Sequence, residues 1–193
     1  MNMAYCLWFW GAGTKPALTP FEEKTGMTGA MISAVDLLKG MAVGAGMEVC
    51  QVEGATGSLH TNYEGKADAA IRALLEEGRD FAYIHLEGPD EMAHQGLVDE
   101  KVLSVEYIDS RIVGPVKAAM EAAGEDFRML ILPDHPNLLR LRTHTADPVP
   151  YLIYDSTRQM KKIARYNERE AAATGVFEPE GWRLLERFLQ LDN

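Results

Sequence analysis

Six short apolar runs punctuate this chain: Ala4–Trp10, Gly29–Val35, Met47–Val52, Phe81–Leu86, Met129–Leu132 and Tyr151–Tyr154. Each is four to seven residues long, which suits a buried strand and is too short for a core helix. Stretches with helical spacing lie between several of them. Asp36–Ala45 carries Leu37, Leu38 and Met41 on one stripe and stops at Gly44 and Gly46. Tyr63–Glu77 carries Ala67, Ala70, Ile71, Leu74 and Leu75, with Asn62 placed as its N-cap. Leu97–Ala123 repeats Val102, Val105, Ile108, Ile112, Val116 and Met120, with a kink or interruption expected at Gly114-Pro115. Short helices are expected at Glu168–Ala173 and Pro179–Leu191, the second with Trp182, Leu185, Phe188 and Leu189 as its core face. Strands alternating with helices predict an α/β fold of three layers, a mainly parallel sheet with helices on both faces. With 193 residues and no linker or repeat, the chain reads as a single α/β domain over 1–193. A chain that opens at once on a core strand predicts that more of the sheet lies upstream.

The polar residues at the strand ends are not random. Phe81–Leu86 runs into Glu87-Gly88-Pro89, and Pro89 is well placed to open a helix. Asp90 and His94 then fall one turn apart on one face of that helix. Met129–Leu132 runs into Pro133-Asp134-His135, and His144 follows nine residues later, ahead of Tyr151–Tyr154. In an open α/β sheet the ligand crevice lies beyond the carboxyl ends of the strands. Asp90, His94, Asp134 and His135 fit that edge, while His144 must reach it from a long loop. An acidic helix start with an incidental histidine is the bland alternative for Asp90 and His94. Two carboxylates and three imidazoles together suit zinc or manganese better than calcium.

Composition removes several classes of function. The formal net charge is −10 and no Lys/Arg-rich run occurs, so neither nucleic acid nor an anionic membrane surface is an expected partner. No apolar run approaches the ~20 residues of a membrane span, and residues 1–10 lack the positive start and cleavage site of a signal peptide. Cys6 and Cys50 match no metal or redox motif and read as buried thiols. These features predict a cytoplasmic protein. Gly11–Pro16 is Gly-rich but has neither the ending of a P-loop nor the spacing of a dinucleotide fingerprint. It reads as a turn.

Several motifs carry a resemblance. Trp10–Gly13, Ile32–Gly40, Glu53–Gly57, Thr61–Ala67, His85–His94, Leu132–His135 and His144–Pro150 resemble, in order and spacing, the archaeal-type cofactor-independent (2,3-bisphosphoglycerate-independent) phosphoglycerate mutases. That family belongs to the alkaline phosphatase superfamily of two-metal enzymes. The match runs from about Met3 to Tyr154. It implies interconversion of 3-phosphoglycerate and 2-phosphoglycerate through a phosphoserine, with two divalent ions (Mn, Zn, Co or Mg). Asp90, His94 and His144 would hold one ion, and Asp134 and His135 would supply half the ligands of the second. Lys39 is either the lysine that steadies the phosphoryl group or a solvated helix residue. The family's nucleophilic serine, an upstream aspartate and a small inserted domain would all precede this chain, which thus resembles the carboxyl-terminal portion of a family member. Ser33, Thr56 and Ser58 do not match the nucleophile's setting. Arg140 and Arg142 flank the loop before His144, as phosphate partners or as ordinary loop charges. Two rivals stand beside the mutase reading. One is a two-metal phosphatase or phosphodiesterase on the same scaffold. The other is a non-catalytic metal-binding fragment, whose exposed sheet surface would favour self-association.

Overall fold

The computed structural model describes residues 13–158 and 165–189. The expected strand Ala4–Trp10, Cys6 and the end of the last helix at Leu191 lie outside the described residues. In chain order the elements are α1 (Phe21–Thr25), β1 (Gly29–Ile32), α2 (Asp36–Gly44), β2 (Glu48–Val49), α3 (Tyr63–Leu75), β3 (Phe81–Ile84), α4 (Gly88–Gln95) and α5 (Val98–Ile108). After a π-helical turn over Asp109–Val113 come α6 (Gly114–Ala123), β4 (Arg128–Ile131), β5 (Asn137–Leu138), β6 (Thr143–His144), β7 (Leu152–Asp155), α7 (Glu168–Ala173) and α8 (Arg183–Leu189). The α/β class read from the sequence holds.

β2, β1 and β3 form a parallel sheet with β1 in the middle. All four residues of β1 are buried, as a parallel strand covered on both faces requires. Ala30 and Ile32 of β1 pack on Ala69, Ala70 and Ala73 of α3, with Cys50 alongside. The small alanines let the helix lie close on the sheet. A second cluster joins Tyr63 and Ala67 of α3 to Ile112 in the π turn and Val116 in α6. Asn62 caps α3 as expected, its Oδ1 accepting from the Gly65 amide at 2.9 Å.

The break expected at Gly114-Pro115 is present, and several finer expectations are corrected. The Leu97–Ala123 helix is interrupted by the π turn just before Gly114-Pro115. Pro115 has no N–H to donate to the carbonyl four residues back, and the widened turn absorbs that gap. The stripe is exposed on α5 and buried beyond it: Val102 and Val105 are exposed, whereas Ile112 in the π turn and Val116 and Met120 on α6 are buried. On α2, Leu37 and Met41 are exposed and line a shallow pocket with Lys15, Pro16 and Leu18. On α8 the core residues are Leu184 and Phe188, and Trp182 is exposed with the Arg183 guanidinium 4.8 Å over its ring. β4 does not extend the parallel set. It pairs antiparallel with β7, and β5 pairs antiparallel with β6. The loop that carries His144 is therefore a hairpin, and that hairpin positions the site. Among the described residues no helix is long and apolar enough to cross a membrane.

Candidate metal centre

β3 ends at Ile84 and α4 begins four residues later, with Pro89 in its first turn and the acidic Asp90 and Glu91 beside it. A proline without an N–H and carboxylates at the positive end of the helix dipole both favour a helix start there. Gly96 ends α4 in the left-handed conformation. Asp90 and His94 lie on one face, with His94 Nε2 3.3 Å from Asp90 Oδ2.

The β5–β6 hairpin brings the third group. Asn137 and His144 are directly opposite in its register. Asn137 is buried, and its Nδ2 donates to Asp90 Oδ1 at 2.7 Å and to the Asp90 carbonyl at 3.2 Å. That anchor ties the hairpin to α4 and sets His144 Nε2 3.1 Å from Asp90 Oδ1 and 3.1 Å from His94 Nε2. Residues 90, 94 and 144 are the three that converge, among the described residues, as a group able to hold a metal ion.

The geometry fits such an ion. Ligands about 2.0–2.1 Å from a tetrahedral ion lie about 3.3 Å from one another. The observed separations are 3.1, 3.1 and 3.3 Å. Protonation fits as well. His94 Nδ1 lies 2.9 Å from the Arg142 carbonyl oxygen, and a carbonyl accepts only from N–H, so Nδ1 carries the proton. That leaves the Nε2 lone pair aimed at Asp90 and His144, the tautomer a metal ligand needs. The His94 Nε2 lone pair and the Asp90 carboxylate thus face one another at 3.3 Å, a pairing that a cation between them, or a proton on His144 Nε2, satisfies. The site is only partly buried, with the His144 side chain the most exposed of the three, so a ligand has access.

Asp134 and His135 adjoin this cluster without completing a second one. His135 stacks on His144 at 3.7 Å between ring centroids. Its Nδ1 is 4.0 Å from Asp90 Oδ1, and its Nε2 is 3.2 Å from Asp134 Oδ2. The Asp134 side chain is 71% exposed and free to take further partners. Lys39 sits on α2 with its ammonium 3.3 Å from Asp36; it has no hydrogen bond to Asp90 or the histidines among the described residues. Arg140 is exposed. Arg142 serves the site through its carbonyl, which neither reading of it from the sequence anticipated.

Sequence reasoning also missed a buried charge behind the turn between β3 and α4. Lys66 is fully buried, and its ammonium donates to the carbonyls of His85 at 3.1 Å and Thr56 at 3.5 Å. Burial pulls its pKa down, and the Glu87 carboxylate partly offsets this. Glu87 is pushed up by burial first, with Lys66 opposing and Glu91 and Asp90 adding to the rise. His85 lies 3.4 Å from Ser33 Oγ and 3.8 Å from Glu87 Oε1 through its Nδ1, and burial holds its pKa below the usual value. Lys66 shares a helix face with Tyr63 and Ala70, so a lysine inside an apolar stripe was the available signal.

Comparisons with known proteins address the family of the chain. The Metalloenzyme superfamily model matches residues 2–178. A protein of Geobacter sulfurreducens, named probable 2,3-bisphosphoglycerate-independent phosphoglycerate mutase, is 46% identical over 187 residues, covering 96% of this chain and 46% of its own length. A Methanosarcina barkeri protein named 2,3-bisphosphoglycerate-independent phosphoglycerate mutase is 48% identical over 174 residues, 90% of this chain and 43% of that protein. The chain thus spans less than half the length of these curated relatives. A solved structure from Pyrococcus horikoshii superposes with a TM-score of 0.71 at 30% identity, covering 80% of this chain and 46% of that one. The cofactor-independent phosphoglycerate mutase of Thermoplasma acidophilum superposes with a TM-score of 0.63 at 21% identity, over 92% of this chain and 40% of that one, and speaks for the fold. The strand-edge motifs, the converging donors and the match over residues 2–178 lead to one assignment: the chain belongs to the Metalloenzyme superfamily.

Proposed function

We propose that residues 1–193 form one α/β metal-binding domain of a phosphoglycerate mutase that interconverts 3-phosphoglycerate and 2-phosphoglycerate in the cytoplasmic glycolytic and gluconeogenic route. The observation that carries the reading is the convergence of Asp90, His94 and His144 at 3.1–3.3 Å, supported by the names of relatives 46% and 48% identical. On this reading Asp90, His94 and His144 hold one divalent ion, and Asp134 and His135 supply half the ligands of a second. When bound, such ions supply Lewis acidity and positive charge to phosphoryl oxygens.

The chain's own residues do the positioning. Asn137 orients the Asp90 carboxylate, the Arg142 carbonyl keeps the proton on His94 Nδ1, and the buried Lys66 holds the turn between β3 and α4. Lys39 is proposed to meet the phosphoryl group after leaving Asp36. No serine in the chain matches the family's nucleophile motif, so the isolated 193 residues bind metal and phosphoglycerate without turnover. Phosphorus NMR of 3-phosphoglycerate with the chain and manganese tests this. Manganese-dependent broadening that the chain enhances, with no new phosphorus species, is the expected result. Accumulation of 2-phosphoglycerate would correct the claim of inactivity. Free phosphate as the product would overturn the mutase reading in favour of a phosphatase.

A further inference from the structure

Arg142 is the one non-glycine residue with a positive φ among the described residues, at 54°. A residue with a Cβ avoids that conformation unless its surroundings hold it there. Two contacts do so. Its amide donates to the Leu138 carbonyl at 2.8 Å, closing the β5–β6 turn. Its guanidinium lies over Gly96 at the end of α4, where an added Cβ would come within 2.7 Å of Nε and 2.8 Å of Nη2. The guanidinium thus fills the space a side chain at position 96 would take. The product of this arrangement is the carbonyl placed 2.9 Å from His94 Nδ1. One exposed loop arginine thereby joins the end of α4, which bears Asp90 and His94, to the turn that leads into His144.

We propose that Arg142 is a positioning residue for the metal centre: its guanidinium, seated on Gly96, holds the left-handed turn that aims its carbonyl at His94 Nδ1 and so fixes the ring plane and tautomer of a ligand. The inference rests on the metal reading of Asp90, His94 and His144. It assigns the arginine's function to its backbone, with the charged group as the clamp that sets it. Partners of this kind, one bond removed from the ion, are worth roughly 10–100-fold in metal affinity.

The test is zinc titration of the chain by competition calorimetry, together with nitrogen NMR of the histidine rings in the zinc-loaded state. Arg142→Ala removes the clamp and keeps the left-handed strain. It is expected to bind zinc about 10–100-fold more weakly and to lose the single Nδ1–H tautomer of His94. Arg142→Gly removes the clamp and the strain together, so its affinity falls between the two. Thermal unfolding of the metal-free chain is expected to change little in either variant. Arg142→Ala binding zinc within about twofold of the parent, or keeping the His94 tautomer intact, overturns the inference and leaves the metal centre standing. A parent chain that fails to bind zinc overturns the metal centre itself.

Discussion

Replacing Lys66 with methionine isolates the buried charge behind the turn between β3 and α4. The ammonium is fully buried and makes one good hydrogen bond, to the His85 carbonyl at 3.1 Å, and a longer one to Thr56 at 3.5 Å. It is also the positive charge that opposes the burial of Glu87. Losing a charged hydrogen bond costs about 1.5–3 kcal/mol. Lys66 and Glu87 share no direct ion pair, so removing the nearby positive charge from the buried carboxylate adds less than the ~3–5 kcal/mol of a fully enclosed contact pair. The Glu87 side chain keeps 25% exposure, which screens part of that second cost. Methionine regains apolar burial worth roughly 1.5–3 kcal/mol. The net is a loss of about 2 kcal/mol at neutral pH, or a fall in Tm of about 4–8 °C for a domain of this size. The pH dependence has a definite sign. Burial raises the folded-state pKa of Glu87, and removal of Lys66 raises it further. The folded chain then binds a proton more readily than the unfolded chain, so the deficit is full above the raised pKa and shrinks as the solution is acidified through it. Urea unfolding of Lys66→Met and of Lys66→Met/Glu87→Gln, each between about pH 5 and 8, measures it. The double variant should recover most of the loss and flatten the pH slope. A single variant as stable as the parent, or a double variant no better than the single, would refute the reasoning.

Two further outcomes follow from other parts of the fold. The carboxyl of Asp155 is held down at about 2, by the Thr157 hydroxyl first and by its amide and Arg128 besides. Its folded pKa is depressed, so its stabilisation is present above the ordinary carboxylate value and is lost as pH falls towards 2. Asp155→Asn should therefore flatten acid unfolding between about pH 4 and 2, and an unchanged acid limb would contradict this. Val98, Val102 and Val105 stand exposed at helical spacing on α5, an apolar stripe that favours self-association. Sedimentation should show mass rising with concentration, and Val102→Asp should suppress the rise. A clean monomer in the parent at high concentration would count against it.

The sequence made the local elements legible where a residue acts through its own backbone. Asn62 caps α3, Pro89 opens α4, and the i, i+4 spacing puts Asp90 and His94 on one face. Those features depend on chain neighbours alone. Trp182, expected on a core face, is exposed because an apolar period says that one face is apolar and not what covers it. The antiparallel pairing of β4 with β7 depends on a return path that composition does not encode. Within the candidate site the converging residue types were readable, but their supports were not. Asn137 acts across the hairpin register and Arg142 acts through its carbonyl, and any residue type supplies a carbonyl. Lys66 was the exception, since a lysine between Tyr63 and Ala70 on an apolar face already signals a buried charge.

Metal binding by the chain is the most direct test of the account. Titration with manganese or zinc, followed by elemental analysis after gel filtration, should give saturable binding at a site made by Asp90, His94 and His144, and His144→Ala should weaken it at least about tenfold with the fold intact by circular dichroism. A parent chain that retains no metal, or a His144→Ala variant that retains it as well as the parent, would contradict the claim that these three side chains form a metal centre.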